Sequence, residues 1–164
     1  MTAPRTGSAR ASMAMTPDEV TAMLAASRKM QLATINKDGT PHLVTMYYGM
    51  LDDQIAFWTY RNSQKALNLA RDPRLTILVE EGLEYFDLKG VQVNGVVWTV
   101  TEQDELKAIG RLVAGRMPGI PDDALEDYVA HGARKRWGYV IEPRHVISWD
   151  HSKLAAPPLG AATS

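Results

Sequence analysis

Arg61 and Lys65 bracket Asn62, Ser63 and Gln64 in the stretch YRNSQKALNLARDPR, residues 60–74. The rest of the stretch reads as an ordinary helix. Ser63 suits an N-cap, Ala66, Leu67, Leu69 and Ala70 supply apolar positions, and Asp72-Pro73 stops it. A helix N-terminus is the positive end of its dipole and carries unpaired N–H donors. Cations there, with no acid beside them, each cost about 0.3–1 kcal/mol unless an anion lies between them. The pattern therefore serves the binding of a phosphate or similar anion by Arg61, Asn62, Ser63, Gln64 and Lys65. The competing reading is structural: Ser63 is only a cap, and Lys65 reaches a carboxylate such as Glu80.

The preceding segment QIAFWTY (54–60) delivers Trp58, Thr59 and Tyr60 to this junction, and PHLVTMYYGML (41–51) carries Met46, Tyr47 and Tyr48. Flat aromatic surface beside an anion site suits a ligand with a ring at one end and a phosphate at the other. Other candidate groups carry less. His42, His131, His145 and His151 are scattered, and Asp52-Asp53 and Asp122-Asp123 read as turn and helix-start residues. Arg134-Lys135-Arg136 is too short a basic cluster to indicate nucleic acid, with an anionic cofactor tail as a local partner. The 164 residues contain no cysteine and carry a net charge of -1, which excludes thiol catalysis and disulfides and fits a reducing, cytoplasmic setting. No apolar run is long enough for a membrane span.

These groups must be positioned by one domain. TPDEVTAMLAASRK starts with the capping box Thr16-x-x-Glu19 and Pro17, and ends with Arg28 and Lys29 at the negative pole. MQLATIN and PHLVTMYYGML flank Asp38-Gly39 as a hairpin, and Asp52-Asp53 turns the chain into QIAFWTY. Strands follow at 75–81 and 91–102, the second with a bulge expected at Asn94-Gly95. A helix is expected over 103–116 and a shorter one over 121–131. RWGYVIEP and RHVISWD read as two closing strands parted by Pro143. The reading is a mainly β domain over 16–153, a six- to seven-stranded antiparallel split barrel with attached helices. Residues 1–15 read as a disordered arm and 154–164 as a flexible tail.

From about Thr16 to Lys153 the order of residues resembles the pyridoxamine 5'-phosphate oxidase-like split β-barrel proteins, most closely their flavin/deazaflavin oxidoreductases using coenzyme F420. The most specific piece is Ser63-x-Lys65-x-x-Asn68-Leu69-x-x-Asp72-Pro73-Arg74 after a strand. The resemblance implies a cofactor phosphate at this junction, the role assigned above from charge. It further implies a tricyclic ring against 44–48 and 57–60, with Thr45, Met46, Tyr47, Thr59 and Tyr60 as contacts and Trp149 and Lys153 nearby. Hydride transfer to a small organic acceptor is the implied reaction, in a homodimer with each cofactor at the subunit interface. Tyr47 and Tyr48 are the candidate proton donors, and no metal is implied. FMN is the alternative cofactor, although the chain ends Lys153-Leu-Ala-Ala-Pro-Pro without the arginine-rich motif of enzymes that oxidise vitamin B6. A non-enzymatic flavin- or haem-binding barrel is the third reading.

Overall fold

The computed structural model describes residues 9–154. Its strands are β1 (Lys29–Ile35), β2 (Pro41–Tyr47), β3 (Gly49–Leu51), β4 (Gln54–Tyr60), β5 (Arg74–Glu81), β6 (Lys89–Val100) and β7 (Arg136–Asp150). All pairings are antiparallel, and the order across the sheet is β2-β1-β5-β6-β7-β4-β3. The expected split-barrel architecture is what forms. Consecutive β2 and β3 lie at opposite edges of the sheet, so the chain itself bridges the edges. Tyr48 makes the bridge. It is fully buried, its N–H donates to the Arg28 carbonyl and its hydroxyl to the Leu24 carbonyl at 2.6 Å. The segment 41–51, expected as one run, is thus two strands on either side of a bend.

Local sequence sets the turns. Gly39 takes φ 86°, and Asp52 and Asp53 take φ 47° and 65°, closing the two-residue hairpin between β3 and β4. β7 is one continuous strand of 15 residues rather than two. Pro143 pairs with Gly95 where the β6–β7 register slips, and a proline lacking its N–H is tolerated at such a bulge. A Cβ on Gly95 would lie 2.5 Å from the Glu142 carbonyl oxygen, so only glycine admits this crossing.

The helices are α1 (Ala9–Met13), α2 (Pro17–Ala26), α3 (Gln64–Arg71), α4 (Gln103–Ala114) and α5 (Leu125–Ala133). Part of the arm expected to be disordered, 9–13, is therefore helical. It is followed by Met15, whose N–H donates to Ser148 Oγ at 3.1 Å, and by the capping box of α2. α2 stops at Ala26, short of Arg28 and Lys29. Its negative pole is served instead by Arg116, whose guanidinium donates to the Ala25 carbonyl at 2.9 Å and the Ser27 carbonyl at 2.5 Å.

Two apolar clusters result. One fills the barrel around Met30, Leu32, Tyr48, Phe57, Ile77, Val91 and Tyr139. The other joins α4 and α5 to the outer face of β4 and β7 around Trp58. A Cβ on Gly110 of α4 would lie 2.6 Å from the Trp58 ring, and one on Gly132 of α5 would lie 2.7 Å from it. Alanine at 110 gains up to about 1 kcal/mol of helix propensity but overpacks a buried, rigid indole at about 1–3 kcal/mol. The steric term wins, so Gly110→Ala is expected to lower unfolding free energy by roughly 1–2 kcal/mol in urea denaturation. Unchanged stability would show that α4 can retreat from Trp58.

Candidate functional site

Ser63 caps α3 as expected: its backbone is extended, its Oγ accepts from the Ala66 N–H at 3.4 Å, and it lies 3.3 Å from Thr59 Oγ1. The first turn of α3 contains no acid. α3 is anchored from behind by Asn68, which is completely buried. Its amide nitrogen donates to Thr34 Oγ1 at 3.1 Å and Asn36 Oδ1 at 2.9 Å, and its oxygen accepts from Gln64 at 2.9 Å. These bonds leave no freedom for the helix to rotate, so the side of Lys65 is fixed by the β1 strand beneath.

That side opens on a cavity of about 260 Å³. Thr45, Met46 and Tyr47 from β2, Thr59 and Tyr60 from β4, and Lys65 all line it. Both alternating faces of the strands contribute because the cavity lies at their ends, beside the bend at Tyr48, and bridges two strands that do not pair. The remaining wall comes from Val113 of α4, Met117 in the loop after it, Tyr128 of α5 and Arg136 at the start of β7. Arg136 pairs with Tyr60 in the β4–β7 ladder. Its guanidinium stands 4.1 Å from the Tyr60 ring centroid and 4.8 Å from that of Trp58.

Among the described residues no carboxylate pairs with Lys65 or Arg136. The proposed Glu80 contact of Lys65 is not formed. Burial holds the Lys65 ammonium below its ordinary value of 10.5. Two cations without a carboxylate partner and the hydroxyls of Thr45 and Thr59 form a donor set for phosphate, and Ser63 at the start of α3 lies 3.3 Å from Thr59.

Other expected residues go elsewhere. Arg61 turns away: its guanidinium donates to the Arg134 carbonyl and its N–H to the Lys135 carbonyl at 3.1 Å. Arg61 and Asn62 line a separate cavity that shares Tyr60 with the first. Gln64 bonds to Asn68 rather than reaching the cavity. Tyr48 lies in the barrel core, where burial pushes its phenol up to about 12, so it has no path to a ligand. Lys153 is held by Glu19 at 2.6 Å and the Ala14 carbonyl at 3.1 Å, and Trp149 packs over Gly90. Trp58 stays with the site: its indole is largely buried between the two helix glycines, and it still forms part of the cavity lining. Arg136 and Tyr128 were not singled out from sequence; the basic cluster 134–136 was the only signal for the former.

Comparisons with known proteins agree with this fold. The family profile described as Pyridoxamine 5'-phosphate oxidase matches residues 16–150. The crystal structure of a conserved hypothetical protein from Mycobacterium tuberculosis is 39% identical, with a TM-score of 0.84, covering 96% of this chain and 100% of that one. A structure described as an F420 reductase is 20% identical, with a TM-score of 0.58 over 76% of this chain and 93% of its own. The haem storage protein HutZ from Vibrio cholerae is 15% identical, with a TM-score of 0.64 over 82% and 96%. The last two share the fold and do not choose between ligands. No curated protein matches the sequence.

The half-buried ammonium has a consequence for stability. Because folding lowers the Lys65 value, the unfolded chain binds this proton more tightly. The charge therefore subtracts stability at neutral pH, and the deficit shrinks as pH rises from the lowered native value toward 10.5. Lys65→Met is expected to raise the Tm at pH 7 in phosphate-free buffer. Added phosphate should raise the wild-type Tm and leave that of Lys65→Met unmoved, both read by scanning calorimetry. A lower Tm for the variant would mean that the fold itself stabilises the ammonium.

Proposed function

Since the chain belongs to the pyridoxamine 5'-phosphate oxidase-like split-barrel family, we propose that it is an oxidoreductase passing hydride from reduced coenzyme F420 to a small organic acceptor. The observation that carries this reading is the convergence of Lys65 and Arg136, without a carboxylate, in a cavity walled by Tyr47, Tyr60 and Tyr128. Lys65, Ser63 and the first N–H groups of α3 would hold the cofactor phosphate. Arg136 replaces Arg61 as the second cation. When bound, the cofactor supplies the hydride chemistry, and the protein's work is to bind, orient and exclude water. Thr45, Met46 and Thr59 shape the wall on which the ring is oriented. Tyr47 can present a proton at its phenol oxygen, since it lines the cavity and Tyr48 does not.

Deazaflavin is preferred to FMN on the resemblance of the Ser63–Arg74 motif to F420-using oxidoreductases, and the F420 reductase with the same fold is consistent with it. A homodimer is part of the proposal. Thr45 and Tyr60 stay exposed at the cavity mouth, and a second copy would close it.

Titration of the purified protein with F420 and with FMN, followed by fluorescence, tests the cofactor. F420 is expected to bind more tightly, and Lys65→Ala to weaken it by about 1–3 kcal/mol, roughly five- to 150-fold. Tighter FMN binding, or a haem band in the protein as purified, would overturn the deazaflavin assignment. Sedimentation equilibrium is expected to give twice the 18.1 kDa chain mass; a monomer at micromolar concentration would remove the second copy from the site.

A further inference from the structure

Tyr60 is a shared wall. One side faces the cavity of Lys65 and Arg136, and the ring also lines a larger cavity of about 580 Å³ that the proposed reaction does not use. The larger space is floored by Ala66, Leu67 and Ala70 of α3 and by the half-buried Trp137 of β7. Leu67 is 53% exposed, an unusual position for a leucine on the face of an amphipathic helix that has otherwise buried Ala66 and Leu69. The rim carries Arg61 and Lys135. The Arg61 guanidinium rests on a neutral carbonyl, and Lys135 has no acidic partner, so among the described residues neither charge is matched by a carboxylate.

We propose that this second cavity is a binding site for a small organic anion with an apolar, planar body, such as an aromatic carboxylate or sulfonate. Trp137, Tyr60 and Leu67 would cover the body, and Arg61 and Lys135 would meet the acid group at the rim. The volume lies within the range of sites for small molecules, and an apolar lining with few polar groups at one end is their common make-up. Charge selects the class: a neutral ring would leave two cations unmatched, whereas a dianionic, fully polar ligand would leave the apolar floor wet. The acid group sits in a different electrostatic setting from Lys65, since that ammonium belongs to the smaller cavity. The inference goes beyond the proposed redox function and does not rest on it. Ligand at this site would touch Tyr60, which also lines the cofactor cavity, so occupation of one site has a direct path to the other.

The experiment uses 8-anilinonaphthalene-1-sulfonate as the probe and its uncharged parent, 1-anilinonaphthalene, as the control. Full-length wild type is compared with Lys135→Glu, Leu67→Asp and, as a remote control, Leu83→Asp, whose residue is 96% exposed on a different part of the surface. The sulfonate is expected to bind wild type at least ten times more tightly than its uncharged parent. Lys135→Glu and Leu67→Asp are each expected to weaken it by ten-fold or more, and Leu83→Asp by less than two-fold. The phosphate-induced rise in Tm, which reads Lys65, should persist in all three variants, so loss of that rise in wild type would strike the cofactor site alone. Equal affinity for the uncharged parent, or wild-type affinity in both Lys135→Glu and Leu67→Asp, would overturn the second site. Should Leu67→Asp unfold, Lys135→Glu decides by itself, because that side chain is exposed and among the described residues forms no ion pair whose loss could unfold the chain.

Discussion

The Trp58 indole is held against two helices at positions where neither helix has a Cβ. Gly110 of α4 and Gly132 of α5 bring helix backbone to within van der Waals contact of the ring, and any side chain there would force the helices off the sheet. This packing decides more than stability. It sets α4 and α5 against the outer face of β4, so Met117 and Tyr128 become one wall of the cavity whose other walls are barrel strands. It also places the end of α5, and hence the start of β7, beside Tyr60. Arg136 is delivered onto the Tyr60 and Trp58 rings by the same contact, with one of its guanidinium nitrogens 2.7 Å from where a Gly132 Cβ would be. Remove the close approach, and the second cation of the site loses its position.

Behind the helix that carries Lys65, a different device does comparable work. Asn68 is buried, yet both ends of its amide are satisfied by Thr34, Asn36, Gln64 and Arg71. A buried polar group in such a network costs little when fully paired and is expensive to disturb. It therefore specifies the rotation of α3 rather than merely its attachment. Lys65 is turned toward the cavity and Leu67 toward solvent because Asn68 and Leu69 have no other way to be buried. The two cavities that share Tyr60 are both lined by one short helix fixed at one angle.

The sites differ in how they hold their charge. Lys65 is partly withdrawn from water with no counterion, which depresses its proton affinity and stores unfavourable energy that an incoming anion would release. Arg136 avoids much of that cost by spreading over two aromatic faces, as a guanidinium can and an ammonium does less well. Arg61 avoids it by donating to carbonyls at the end of α5, where the helix dipole is negative. Three cations close in sequence or space thus have three different environments, and only the first two converge on one cavity.

Sequence alone determined what depends on neighbours a few residues away. The capping box of α2, the Asp38-Gly39 and Asp52-Asp53 turns, the bulge at Asn94-Gly95 and the acid-free start of α3 are local, and each formed where its residues required. The presence of Lys65 beside Thr45, Tyr47, Thr59 and Tyr60 was legible for the same reason, since all lie within one run of four short elements, β2 to α3, joined by tight turns. What tertiary structure decided depends on residues far apart in the chain. Arg136 reaches the cavity only through the β4–β7 register, Arg61 leaves it only because the end of α5 offers carbonyls, and Tyr48 is lost to the core because the chain bends there to join opposite sheet edges. Pro143, read locally as a strand breaker, was absorbed by a bulge that only the partner strand could provide. Periodicity and capping are written along the chain, whereas the choice between two nearby cations is made by whichever distant surface arrives first to share their charge.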